Sequence, residues 1–201
     1  MQLALQNNYN ELATGVLVFN NNKNLEKLIK NIEDLLINSG DAVWQEAKIA
    51  HEDGKYVVDK TIRDNLFFWL NPNLNFKEET LIKIKGVESI INDSVLPSLI
   101  EYQKIFNTSI KNRDPYEILK YNLSNGLGWH TDDGASNHSR VSLLYYLNDN
   151  YEGGEIEFDS FNIKYKPKAG DILIFPSSFI YRHRVLAITS GTRYAIADFM
   201  A

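Results

Sequence analysis

The chain predicts an α+β fold: a β-sandwich or jelly roll with N-terminal helices packed on one outer face of a sheet. Three observations carry this. Two stretches in the first half have the apolar spacing of amphipathic helices. From Pro115 onward the texture changes to short β-rich runs. Clusters of turn residues split those runs at regular intervals.

Thr14–Asn20 (TGVLVFN) reads as a short strand. Asn24–Asn38 follows, with Leu25, Leu28, Ile29, Ile32, Leu35 and Leu36 on one helical stripe. Asp53-Gly54 marks a turn, and Tyr56–Leu70 is aromatic with no clean period. Phe76–Phe106 has helical spacing at Leu81, Ile84, Val87, Ile90 and Ile91, and Pro97 is expected to kink or restart that helix. Strands are predicted at Tyr116–Tyr121, Val141–Leu147, Glu155–Phe158, Asp171–Phe175, His183–Ile188 and Thr192–Met200. The turn segments Asn148–Gly154, Pro167–Gly170 and Thr189–Gly191 separate several of them. The expected organisation is one domain over 1–201, with a helical and mixed support region (1–113) and a β core carrying the functional site (114–201).

Composition narrows the chemistry. With 201 residues, 44% of them hydrophobic, the chain can bury a full core. The net charge of -5 and the lack of a basic run argue against a nucleic-acid partner. There is no cysteine, which excludes disulfides, thiolate metal sites and cysteine nucleophiles. MQLALQNNYNE lacks the basic and apolar regions of a signal peptide, and no run of about 18 apolar residues exists to span a membrane. The expectation is a soluble, cytoplasmic protein with no membrane partner.

Only four histidines occur: His51, His130, His138 and His183. His51 sits in a polar stretch and His138 in an expected loop. His130-Thr131-Asp132 has the form H-x-D, which on an extended strand presents both side chains to one face. His183 opens a predicted strand far downstream and is a candidate third ligand. Two imidazoles and one carboxylate leave positions open on a metal, the arrangement of oxygen-activating non-haem Fe(II). H-x-D alone is a weak signal; its context gives it weight. Arg193 follows His183 across a Ser190-Gly191 turn, where a hairpin would bring both into one cavity. On the last strand Arg193 shares a face with Ala195, Ala197 and Phe199, as His183 does with Val185 and Ala187 on the preceding one. A planar guanidinium suits the far carboxylate of a dicarboxylate co-substrate.

In order, YNLSNGLGWHTD (121–132), RVSLLYYLN (140–148), GGEIEF (153–158), KAGDILIFPS (168–177) and HRVLAITSGTRYAIADFM (183–200) resemble the double-stranded β-helix core of prolyl 4-hydroxylase-like Fe(II)/2-oxoglutarate-dependent dioxygenases. The resemblance covers roughly residues 114–201 and is nearest to the oxygen-sensing type of prolyl hydroxylase and its microbial relatives. By position it implies iron ligands at His130, Asp132 and His183. Arg193, Tyr146 and Tyr121 fall at 2-oxoglutarate-binding positions, and Arg63, Arg140 and Phe199 at substrate-facing ones. Formal charges then cancel: Fe(II) and Arg193 against Asp132 and the dicarboxylate.

The resemblance further implies O2 as a second co-substrate, a supporting role for ascorbate, and succinate and CO2 as products. A proline-bearing protein or peptide is the implied substrate, hydroxylated at C4. It also implies a mobile segment around residues 52–75 that closes over the peptide. Other readings are a dioxygenase of the same superfamily acting on another peptide residue, a small molecule or a nucleobase, and a non-enzymatic β-sandwich that keeps a relic metal site. Asp132 argues against a halogenating variant, which leaves the carboxylate position open.

Overall fold

The computed structural model describes residues 8–50, 55–134 and 137–201. Two antiparallel sheets face each other. The strands of the pair are β1 (Tyr9–Ala13), β2 (Val16–Asn20), β3 (Gln45–Glu46), β4 (Leu66–Leu70), β5 (Tyr116–Tyr121), β6 (Leu127–His130), β7 (Val141–Tyr146), β8 (Ile156–Phe158), β9 (Ile163–Tyr165), β10 (Asp171–Pro176), β11 (His183–Val185) and β12 (Arg193–Met200). The larger sheet has the order β1-β2-β10-β7-β12-β5-β4-β3, and the smaller one β9-β8-β11-β6. Two helices, α1 (Leu25–Asn38) and α2 (Glu78–Ile105), complete the frame.

The period-2 alternation of the large sheet sorts its side chains into two cores. Along β7, Val141, Leu143 and Tyr145 join the cluster shared with Leu28, Ile32 and Leu35 of α1 and with Ile84, Val87 and Ile91 of α2. Leu144 and Tyr146 point the other way, into a second cluster closed by Ile156, Phe158 and Val185 of the small sheet. Both helices therefore lie on one outer face, as expected, and the opposite face looks into the space between the sheets. Among the described residues, no helix is long and apolar enough to cross a membrane.

Two sequence expectations need correction. First, α2 runs unbroken through Pro97. The carbonyl freed by the missing N–H is that of Asp93, and Asp93 and Pro97 are both exposed, so water can satisfy it; Val95 and Leu99 meanwhile pin the helix to the sheet. Second, the aperiodic aromatic segment contains a true strand: Leu66–Leu70 pairs with β5 from Leu66↔Lys120 to Leu70↔Tyr116. Phe68 and Leu70 enter the helix-side core while Phe67 packs on the inner cluster, so both faces are apolar and the alternation is invisible. That part of the expected mobile segment is sheet scaffold. The strand expected at Thr14–Asn20 is present as β2 (Val16–Asn20). β2 pairs with β10 through Asp171↔Asn20 to Ile174↔Leu17, which extends the sheet that carries the C-terminal strands. The predicted Asp53-Gly54 turn lies outside the described residues.

Candidate active site

Three side chains converge at one end of the inner space. β6 and β11 are neighbours in the small sheet, with His183 directly opposite His130, and the two rings are 4.2 Å apart between centroids. β6 ends at His130, so Asp132 sits in a bend beyond it and not on the extended strand that the H-x-D spacing assumed. It still reaches the same point: Asp132 Oδ1 is 3.4 Å from His130 Nε2, and Oδ2 is 3.8 Å from His183 Nε2. One ligand atom from each residue lies within 4.8 Å of the others, a set that could hold a single metal ion.

Neighbouring groups prepare these ligands. His130 Nδ1 bonds the Gly128 carbonyl at 2.9 Å, and His183 Nδ1 bonds that of Tyr181 at 3.0 Å. A carbonyl only accepts, so each Nδ1 carries the proton and each Nε2 lone pair faces the cluster. Burial pushes the His183 imidazole down to about 4, which keeps it neutral. Burial pushes the Asp132 carboxyl up, yet it is held below its usual range, and the hydrogen bond that Ser142 Oγ donates favours the carboxylate. Ser142 Oγ lies 2.6 Å from Asp132 Oδ2 and 2.8 Å from Ser177 Oγ. Phe175 packs edge-on against the His183 ring at 4.9 Å. Neutral imidazole and ionised carboxylate are the forms that bind a metal.

Farther into the inner space lies Arg193, only 1% exposed. It is not joined to His183 by a hairpin, as the Ser-Gly turn suggested. β11 belongs to the small sheet and β12 to the large one, so the chain crosses between layers and the two residues face each other from opposite sheets. Val185 shares the buried side with His183, but β11 ends there and Ala187 is exposed. On β12, Ala195 and Ala197 do line the inner face with Arg193. The Arg193 guanidinium carbon lies 4.8 Å from the Tyr121 ring and 5.0 Å from that of Tyr146. Its Nη1 donates to the Gly154 carbonyl at 3.3 Å. Gly154 has φ +67°, and a Cβ there would come within 2.5 Å of Ile188 Cδ1 and 3.4 Å of Arg193 Cδ, so only glycine leaves this approach open.

Among the described residues, five buried side-chain polar atoms lack a hydrogen-bond partner. Three of them, Arg193 Nε, Tyr146 Oη and Tyr151 Oη, belong to this one cluster. An unpartnered donor in a dry interior is costly. A buried cation beside two unpartnered phenols is the donor set a carboxylate satisfies. The residues present therefore fit a dicarboxylate as well as a metal.

The remaining candidates are more dispersed. Phe199 pairs with Ser142 across β12 and β7, so it shares the inner face next to the Asp132 carboxylate. Arg140 is exposed just before β7. Arg63 bridges to Leu127, and its guanidinium contacts Asn65 Oδ1 (3.1 Å), Glu117 Oε2 (3.2 Å) and the Lys48 carbonyl (3.5 Å). It lines a surface cavity with Asn122 and Asn125 that includes none of the triad. His51 lies outside the described residues, as does the side chain of His138. Sequence reasoning missed Ser142, Ser177 and Tyr151. Ser142 carried a signal, being polar and in phase with Leu144 and Tyr146 on an otherwise apolar strand; Tyr151 sat inside a segment read only as a turn.

The fold and the site together define an iron oxygenase of the 2-oxoglutarate class. Residues 116–201 match the 2OG-Fe(II) oxygenase superfamily. The chain is an Fe(II)-, 2-oxoglutarate- and O2-using dioxygenase. A PKHD-type hydroxylase of Prochlorococcus marinus (strain AS9601) is 29% identical over 191 residues, covering 92% of this chain and 74% of the relative. One from Synechococcus sp. (strain CC9311) is 40% identical over 82 residues, covering 38% of this chain and 36% of the relative. The fold matches a prolyl hydroxylase from Trichoplax adhaerens, solved in complex with a hypoxia inducible factor peptide fragment. Its TM-score is 0.70 at 22% identity, over 92% of this chain and 83% of that one. A Pseudomonas putida prolyl-4-hydroxylase matches with TM-score 0.60 at 16% identity, over 92% of each chain.

Proposed function

We propose that this dioxygenase hydroxylates a prolyl residue of a protein or peptide at C4, with His130, Asp132 and His183 as the iron ligands. The observation that carries the site assignment is the placement of the triad and the buried Arg193 within one inner space, on opposite sheets. Fe(II) with 2-oxoglutarate supplies O2-dependent C–H hydroxylation, coupled to decarboxylation of 2-oxoglutarate to succinate and CO2. The chain's own part is to hold and to exclude. Ser142 and Ser177 orient the Asp132 carboxylate. Arg193 and Tyr146 hold the far carboxylate of the co-substrate, and the Tyr121 ring backs the guanidinium. Apolar walls from Phe158, Phe175 and Val185 keep water out.

The prolyl assignment is supported by relatives that are hydroxylases of the PKHD type and by the fold shared with prolyl hydroxylases. Phe199 stands beside the metal ligands, where an aromatic ring can pack against a pyrrolidine. In this reading Arg140 contacts the peptide from the surface, while Arg63, tied to Glu117, shapes the rim. The test is incubation of the iron-loaded protein with a proline-containing peptide library, 2-oxoglutarate and O2, read by mass spectrometry. One added oxygen on C4 of proline is the expected product. Modification of asparagine or lysine, or of free small molecules alone, overturns the prolyl assignment and leaves the dioxygenase intact.

A further inference from the structure

We infer that Tyr151 is a third binding residue for the distal carboxylate of the co-substrate, acting beside Arg193 and Tyr146. The inference rests on the proposed 2-oxoglutarate site and adds a residue to it. Tyr151 leaves the turn after β7 and is 4% exposed. The Lys166 ammonium lies 4.0 Å from its ring centroid, and Lys166 Nζ also donates to the Tyr151 carbonyl (2.9 Å) and the Gly153 carbonyl (2.5 Å). The backbone and one ring face are thus fixed from the surface side.

The ring edge and the arginine stem both approach Gly154. A Cβ built on Gly154 would lie 3.1 Å from Tyr151 Cε2 and 3.4 Å from Arg193 Cδ, so the phenol ring and the arginine stem flank the same small gap. The hydroxyl is buried and bonds to no described group, as is true of Tyr146 Oη and Arg193 Nε. Burial pushes the pKa of both phenols up, so both stay protonated donors. Two phenol O–H groups and a guanidinium N–H, all unpartnered and on residues near enough to act on one another electrostatically, need one acceptor with several lone pairs. A carboxylate provides it. A structural tyrosine at this place would find a protein acceptor for its hydroxyl.

The experiment is calorimetric titration of the Mn(II)-loaded protein, without turnover, with 2-oxoglutarate and with oxalate. Oxalate chelates metals but has no distal carboxylate. Tyr151→Phe keeps the ring and its contact with Lys166, and its melting temperature should match the parent. The expected result is a Kd for 2-oxoglutarate raised about tenfold or more, as for a lost hydrogen bond to a charged group, with Mn(II) and oxalate affinities unchanged. An unchanged 2-oxoglutarate Kd overturns the inference, as does equal weakening of oxalate, which would mark Tyr151 as cavity packing. In either case a parent protein that needs Arg193 for 2-oxoglutarate keeps the site reading. A parent that binds oxalate but not 2-oxoglutarate overturns both.

Discussion

Arg193 and Tyr121 are direct register partners on adjacent strands, and the guanidinium carbon rests 4.8 Å from the centre of the tyrosine ring. The faces of the Tyr121 and Tyr146 rings stand in for solvent around this buried cation.

Arg193→Ala should weaken 2-oxoglutarate by about a hundredfold or more, since leaving a buried charge unpaired costs roughly 3–5 kcal/mol. Arg193→Lys should recover part of the loss, because it keeps the charge without the two-pronged donor. Steady-state KM for 2-oxoglutarate is the measurement. An unchanged KM in Arg193→Ala would show that another cation holds the co-substrate.

At the metal, His183→Ala should abolish iron-dependent turnover. Ser142→Ala should act more gently. It removes the 2.6 Å hydrogen bond that orients Asp132, and loss of such a supporting contact typically costs about 10–100-fold in metal affinity. Metal titration with a competing chelator separates the two, and circular dichroism should show both variants folded.

On the helix side, Arg113 binds Asp198, Tyr116 and Asn92, with the Asp198 side chain fully buried. Arg113→Ala strands that carboxylate and should cost about 3–5 kcal/mol in urea unfolding. Asp198→Asn should cost less, because the buried group no longer carries charge. Equal and small losses in both variants would mean that water replaces the arginine.

Two glycines should respond with opposite sign. Gly153 has φ +73°, and an added Cβ would lie 2.2 Å from the Ala187 carbonyl oxygen. Gly153→Ala should therefore destabilise by about 1–3 kcal/mol from backbone strain alone, with the clash added. Gly86 is exposed within α2, with nothing near the position of its Cβ. Gly86→Ala should stabilise by about 0.5–1 kcal/mol. Thermal melts of the two proteins give the comparison directly.

Much of this was legible in the chain, in proportion to how local the signal was. The strand predicted at Tyr116–Tyr121 matches β5 residue for residue, and β7, β10 and β12 agree within a residue at their ends. The register that sets His183 opposite His130 was not legible, since it depends on pairing between segments far apart in sequence. Nor was β4, which lies at the end of the longer aromatic stretch Tyr56–Leu70 with no clean period of its own. Tyr151 was hidden for another reason. Its neighbours in sequence are turn residues, and only the folded chain brings its ring and the Arg193 stem to the same glycine, Gly154.

Both imidazoles owe their orientation to main-chain oxygens two positions earlier, Gly128 for His130 and Tyr181 for His183. A carbonyl is present whatever side chain stands at those positions. The proton placement that readies each nitrogen for metal is thus written into chain geometry and not into side-chain identity. Mutational drift at positions 128 and 181 can alter steric fit or rim chemistry without reversing either ring. The site can diversify its surroundings, and with them its choice of substrate, while its coordination chemistry is inherited unchanged.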